Sequence, residues 1–130
     1  MDCSELFVRN PFYLAYLACA IIVFTVLFLR TVPQVANGIP HLDKIAHFGI
    51  FFILTFLAYR ALKDYFLIAC AAIVAYGGLI EIAQSFVPHR SGSWLDFAAD
   101  VMGVIVFIGA LELFKWQKNQ RLALLSDKEQ

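Results

Sequence analysis

"YFLIACAAIVAYGGLIEIAQSF", residues 65 to 86, is an apolar stretch that carries a single charged side chain, Glu81. The hydrocarbon core of a bilayer is about 30 Å thick, and a helix needs about 20 apolar residues to cross it. The "KDY" segment at the start of this stretch and Pro88 after its end mark its limits. The stretch therefore predicts a membrane-spanning helix.

Three further stretches of similar length and hydropathy surround this one, at residues 11 to 29, 43 to 62 and 95 to 114. Asn10 is predicted to be the N-cap of the first helix, ahead of Pro11, and Asp43 the N-cap of the second. The prolines and glycine of "TVPQVANGIP" separate these two helices. We predict an all-α, polytopic membrane protein, with residues 1–130 forming one domain built as a four-transmembrane-helix bundle.

The composition agrees with this class and excludes others. The 130 residues are 62% hydrophobic, with a mean hydropathy of +0.76 and a formal net charge of zero. Because the chain has no basic excess, no nucleic-acid partner is predicted. The cysteines form no CxxC pair, so neither a disulfide framework nor a cysteine metal site is expected.

Lysine and arginine residues are distributed unevenly along the chain, and this bias sets the orientation of membrane proteins. Seven fall on the side of the termini: Arg9, Arg60, Lys63, Lys115, Lys118, Arg121 and Lys128. Three fall on the other side: Arg30, Lys44 and Arg90. We therefore predict a multi-pass protein of the inner (cytoplasmic) membrane with both termini cytoplasmic and with loops 30 to 42 and 87 to 94 facing outward. Trp94 and Trp116 are predicted to anchor opposite ends of the fourth span.

Each of the last three predicted helices has one polar stripe at helical spacing. The stripes consist of Asp43 and His47, then Gly77, Glu81 and Gln84, then Asp96, Asp100 and Gly103. A carboxylate at the depth of Glu81 or Asp100 would cost several kcal/mol if it faced lipid, so both should face the bundle interior. We expect them to meet each other and Arg90 in an outward-opening pocket. The small residues Gly77, Gly78, Gly103 and Gly109 are expected to let the helices approach closely.

Four short motifs in order, "DKIAHF" (43–48), "YGGLIEIAQ" (76–84), "PHR" (88–90) and "DFAADVMG" (96–103), resemble the VanZ-like family of small membrane proteins. The resemblance covers residues 40 to 105 and leaves the first helix and the tail outside. It singles out seven residues: Asp43, Lys44, His47, Glu81, Gln84, Arg90 and Asp96. The family usually has Asn where this chain has Asp100. Its named member raises resistance to the glycopeptide teicoplanin, which implies a glycopeptide as a possible ligand.

The residue types suggest an intramembrane hydrolase or transferase that acts on a phospholipid or a lipid-linked envelope substrate. Glu81, Asp96 and His47 are the candidate catalytic residues, because acid and base catalysis needs groups whose proton affinities are set apart by their surroundings. The candidate substrate-binding residues are Arg90, Gln84, Lys44, Asp43 and Asp100. Arg90 is suited to clamp a phosphate through its planar guanidinium.

Other hypotheses fit the same residues. The pocket could hold a lipid headgroup or a glycopeptide without catalysis, or Glu81 and Asp100 could relay protons in a transporter. The polar residues could also form a purely structural network that fixes helix packing. His47, Glu81 and Asp96 make a conceivable metal set, but no HExxH signature is present, so no metal and no cofactor is predicted. Homo-oligomers are possible.

Overall fold

A computed structural model of the chain describes residues 10–30, 42–88 and 92–126. Its helices are α1 (Pro11–Leu29), α2 (Leu42–Ala61), α3 (Phe66–Gln84) and α4 (Trp94–Ser126), with a 3-10 turn at Lys63–Tyr65 between α2 and α3. All four are long and apolar enough to cross a membrane. The all-α, four-helix polytopic fold predicted from the sequence is confirmed, and the protein is a multi-pass membrane protein.

The helix starts agree with the predicted caps in one case and differ in the other. Asn10 Oδ1 accepts a hydrogen bond of 3.1 Å from the Phe12 amide, and Pro11 occupies the first helical turn, as predicted. The prediction for Asp43 is wrong, since α2 begins at Leu42 and Asp43 lies inside its first turn. A carboxylate there is still favourable because it faces the positive end of the helix dipole.

Helix α4 is longer than the span predicted at 95 to 114. Its 33 residues extend to Ser126, a length of about 50 Å. Trp94 and Trp116 are both exposed and lie about 33 Å apart along the helix, close to the thickness of the hydrocarbon core. This spacing agrees with the predicted anchoring of the fourth span at its two ends, which stays a prediction. The helix beyond Trp116 is exposed and carries basic residues.

Helix α2 is the centre of the bundle and contacts each of the other three helices. Its inward face is fully buried at Phe51, Leu54 and Ala58. The ring of Phe51 stacks on Tyr76 of α3, and the Tyr76 hydroxyl lies 2.9 Å from the Thr25 hydroxyl of α1. These contacts link α1, α2 and α3 through one continuous core.

Two of the four glycines predicted to permit close helix packing do so. A Cβ on Gly103 would lie 2.5 Å from the Phe48 carbonyl oxygen of α2, and a Cβ on Gly77 would lie 2.9 Å from Asp100 Oδ2. The prediction is wrong for Gly109, where a Cβ would meet nothing within 4 Å, and Gly78 has only an ordinary contact. The close approaches are confined to the helix faces that carry the polar stripes.

Candidate functional site

Three ionisable side chains from three helices meet at one nitrogen atom. His47 Nδ1 of α2 lies 2.9 Å from Asp100 Oδ1 of α4 and 3.6 Å from Glu81 Oε1 of α3. His47 and Asp100 lie near the starts of their helices and Glu81 near the end of its own, so all three occupy the same end of the bundle. We call these three residues the His47 cluster.

The His47 cluster is buried and retains unused hydrogen-bonding capacity. His47 and Asp100 are 0% exposed and Glu81 is 9% exposed. Within the described part of the chain, His47 Nε2, Glu81 Oε1 and Asp100 Oδ2 are buried and have no hydrogen-bond partner. Each such atom costs about 1–3 kcal/mol, and native structures tend to keep them where they have a function.

A lysine and further carboxylates lie beside the His47 cluster. Lys44 Nζ donates a hydrogen bond of 2.9 Å to Asp96 Oδ1, and the Asp96 side chain is only 7% exposed. Single side-chain ligand atoms of Asp43, His47 and Asp96 lie within 4.8 Å of one another. Among the described residues, carboxylates thus lie close together here, and Lys44 pairs with one of them, Asp96.

The backbone that precedes α4 also contacts the cluster. The Ser93 amide donates a hydrogen bond of 2.7 Å to Glu81 Oε2, which holds one carboxylate oxygen and leaves Oε1 directed at His47. Gly92 makes this approach possible, since a Cβ there would lie 2.5 Å from the Glu81 carbonyl oxygen. This role of Gly92 was not predicted from the sequence, although a glycine two residues before a helix start is a usable signal for close backbone approach.

Helix α1 covers the cluster through Phe28, which the sequence analysis also missed. The Phe28 ring lies 4.4 Å from the His47 ring, measured between centroids, and is 4% exposed. Gln84 Nε2 donates a hydrogen bond of 3.1 Å to the Phe28 carbonyl oxygen. No feature of the sequence marks Phe28 among the thirteen phenylalanines, because its importance depends on where the end of α1 packs.

The structure brings together most of the predicted site residues. Six of them lie in the His47 cluster or beside it: Asp43, Lys44, His47, Glu81, Asp96 and Asp100. Gln84 is close but contacts the backbone of α1, and Arg90 lies outside the described residues. The catalytic and binding roles of all eight stay predictions.

Two groups of side chains among the described residues have the types and spacing to hold a metal ion. One is the His47 cluster, and the other is Asp43, His47 and Asp96. The set considered from the sequence, His47 with Glu81 and Asp96, differs from both. Asp100 joins Glu81 because the polar faces of α3 and α4 meet at His47, a packing that the separate helices do not reveal.

A cavity of about 320 Å³ lies at the opposite end of the bundle, away from the His47 cluster. It is lined by Asn10, Tyr59, Arg60 and Lys63. Arg60 also packs over the ring of Tyr13, with its guanidinium carbon 4.7 Å from the ring centroid. Among the described residues, the charged side chains that line this cavity are cationic, whereas those around His47 are mainly acidic.

Comparison with known proteins identifies a family. The family model described as VanZ/LLP1 matches residues 7–115, which include α1 and the membrane-spanning part of α4 as well as the motifs at 40 to 105. No curated protein and no solved structure matches the chain significantly. Since the match covers most of the 130 residues and contains the complete His47 cluster, the chain belongs to the VanZ/LLP1 family.

Proposed function

We propose that this protein is an intramembrane enzyme that acts on a phospholipid or a lipid-linked envelope substrate through the His47 cluster. The observation that carries the proposal is the position of His47 Nδ1, at 2.9 Å from Asp100 and 3.6 Å from Glu81 in a buried site. Burying two carboxylates and an imidazole costs free energy, whereas apolar side chains would pack at the same place without that cost. Such an arrangement is typical of groups that exchange protons with a substrate.

The geometry suggests a role for each residue. Asp100 accepts a hydrogen bond from His47 Nδ1, which orients the ring and leaves Nε2 free to exchange a proton. Glu81 is held through Oε2 by the Ser93 amide, while Oε1 remains available as a proton acceptor or donor. Lys44, paired with Asp96, supplies a positive charge near the membrane surface for an anionic headgroup.

We place the His47 cluster at the outer side of the inner membrane, with both termini in the cytoplasm. The bias of seven lysine and arginine residues against three supports this orientation. In a cysteine-free background, Ser126→Cys at the end of α4 should react with an impermeant maleimide only after the cells are permeabilised. Ser91→Cys, in the loop predicted to face outward, should react in intact cells. The reverse pattern would move the cluster to the cytoplasmic side.

The second candidate function is a protein that binds its ligand without catalysis, and two contacts favour it. The bonds from Ser93 to Glu81 and from Gln84 to Phe28 tie chain segments together as a structural network would. A bound lipid headgroup or glycopeptide would fit this reading, and so would the link to teicoplanin resistance implied by the resemblance. Teicoplanin susceptibility of cells that express each variant described below tests that link.

The replacement Glu81→Gln tests the enzymatic proposal. Gln can still accept the hydrogen bond from the Ser93 amide, so the variant should fold and accumulate normally while it loses the ionisable group. We expect the lipid changes caused by the wild type to fall by at least a factor of about 100, the usual scale of acid or base catalysis. Mass spectrometry of lipid extracts and lipid-linked precursors, at matched protein abundance, measures this effect.

The matched control is Glu112→Gln, because Glu112 is exposed on α4 and pairs only with Lys115 in the described structure. This variant should act as the wild type does. Identical extracts from wild type and Glu81→Gln, with both proteins inserted, would contradict catalysis and favour the binding protein. Poor accumulation of Glu81→Gln alone would instead favour the structural network.

A further inference from the structure

We propose that the His47 cluster is a binding site for one divalent transition-metal ion, of the class of Zn²⁺ or Mn²⁺. The ligands are His47 Nδ1, Glu81 Oε1 and a carboxylate oxygen of Asp100. Each comes from a different helix, so the ion would join α2, α3 and α4 at one point. This inference deepens the proposed function, but metal binding can be measured without any lipid.

The distances between the ligand atoms fit a single ion. Bonds of about 2.0–2.2 Å to nitrogen and oxygen in tetrahedral geometry place neighbouring ligand atoms about 3.4 Å apart. The observed separations from His47 Nδ1 are 2.9 Å to Asp100 and 3.6 Å to Glu81. These two separations would have to change by about 0.2–0.5 Å. The oxygens of Glu81 and Asp100 lie within 4.8 Å of each other, so they would have to approach by at most about 1.4 Å to complete the site.

A second and independent observation is the pair of carboxylate oxygens without partners. Glu81 Oε1 points toward His47 Nδ1 from a side chain that is 10% exposed, and it has no hydrogen-bond partner among the described residues. Asp100 Oδ2 is likewise unpartnered, on a fully buried side chain. A metal ion would bind Glu81 Oε1 directly, and either carboxylate oxygen of Asp100 would be available as a further ligand.

The charges around the site also favour a cation. Four carboxylates lie at this end of the bundle, on Asp43, Glu81, Asp96 and Asp100. Lys44 is bonded to Asp96, and His47 contacts both Glu81 and Asp100. A divalent ion would offset the charge of the Glu81 and Asp100 carboxylates, where burial makes that charge most costly.

The ligand types favour a transition-metal ion over Ca²⁺ or Mg²⁺. An imidazole with two carboxylates suits Zn²⁺ or Mn²⁺, whereas Ca²⁺ takes six to eight oxygen ligands and Mg²⁺ strongly prefers oxygen. With three protein ligands, a fourth position stays open for water or for an oxygen of an anionic headgroup. When the ion is bound, His47 and Glu81 would hold it instead of a proton. The positive charge of the ion would then attract the anionic headgroup to a site that is otherwise acidic.

Equilibrium dialysis of the full-length protein in detergent tests the proposal, after removal of bound metal with a chelator. Zn²⁺ and Mn²⁺ are the probes, elemental analysis gives the stoichiometry, and visible absorption of added Co²⁺ reports the geometry. We expect about one ion per chain for the wild type. The variants His47→Gln and Asp100→Asn should weaken binding at least tenfold, since even the loss of an outer-shell partner costs about 10–100-fold in metal affinity.

Two control variants make each result informative. Glu112→Gln should bind as the wild type does. Asp96→Asn removes a nearby charge but no proposed ligand, so it should weaken binding less than Asp100→Asn does. Binding lost in Asp96→Asn but retained in Asp100→Asn would overturn the proposal in favour of the group of Asp43, His47 and Asp96. Equal binding by the wild type and both ligand variants would overturn it altogether. Asp100→Asn keeps the size and a hydrogen bond of Asp100, so it stays informative if His47→Gln does not fold.

The metal experiment and the lipid experiment test the two proposals independently of each other. Stoichiometric binding with unchanged lipid extracts would support the metal site and contradict the enzyme. A lipid product from a chain that binds no ion would support acid and base catalysis by the metal-free cluster and overturn the metal site.

Discussion

Replacing Gly103 with alanine is expected to separate α2 from α4 and to destabilise the protein strongly. The new Cβ would lie 2.5 Å from the Phe48 carbonyl oxygen and 3.0 Å from the Phe52 amide nitrogen. Overpacking costs about 1–3 kcal/mol where side chains can shift, and we expect the upper end because these obstacles are backbone atoms. The apparent melting temperature in detergent should fall by roughly 10 °C.

The chain provides a matched control on the same helix. Gly109 lies less than two turns after Gly103, and a Cβ there would meet nothing within 4 Å. Gly109→Ala should therefore leave the melting temperature unchanged or raise it slightly, because alanine favours the helical conformation by about 1 kcal/mol over glycine. Equal melting temperatures for the two alanine variants would contradict the close packing of α2 on α4.

The second large effect is expected from Lys44→Met, which leaves the Asp96 carboxylate without its partner. Asp96 is 7% exposed, whereas the Lys44 side chain is 33% exposed, so the cost arises mainly at the carboxylate. Breaking a fully buried pair costs about 3–5 kcal/mol and an exposed pair contributes about 0–1 kcal/mol. For this half-buried pair we expect the free energy of unfolding to fall by about 2 kcal/mol, between those two values. Thermal unfolding in detergent measures the change.

Two variants separate the charge effect from lost packing. Adding Asp96→Asn to Lys44→Met removes the unpaired charge and should restore most of the stability. Lys115→Met breaks the 2.6 Å contact with Glu112, where both side chains are largely exposed, and should not change the melting temperature measurably. If the double variant is no more stable than Lys44→Met, the loss comes from packing of the lysine stem rather than from Asp96.

Most of the fold could be predicted from the sequence because the bilayer imposes a length on each helix. The first span agrees with α1 at both ends, and the others differ mainly at their termini. The error at Asp43 arises because several residue types are common at and near a helix start, and only the backbone shows which one is first. The predicted fourth span ended at residue 114 because the apolar stretch ends there, whereas the helix continues to Ser126.

The helix faces that build the site were also predictable, whereas the partners within it were not. Helical spacing places Glu81 with Gln84 and Asp100 with Gly103, and all four are buried as expected. Spacing gives no distance between helices, so it could not show that Asp100 rather than Asp96 meets His47 at 2.9 Å. For the same reason, the sequence predicted a packing role for Gly109 as well as for Gly77 and Gly103, and the structure shows that role at Gly77 and Gly103.

The sequence by itself determined that this is a four-helix membrane protein in which the polar stripes of three helices lie at one end, because hydropathy and helical period are properties of single helices. Tertiary structure alone decided which groups meet. It placed Phe28 over His47, used Gly92 to bring the Ser93 amide to Glu81, and paired Lys44 with Asp96. These contacts depend on the rotation and depth of each helix against its neighbours, and those are set by close packing around Gly103 and Gly77.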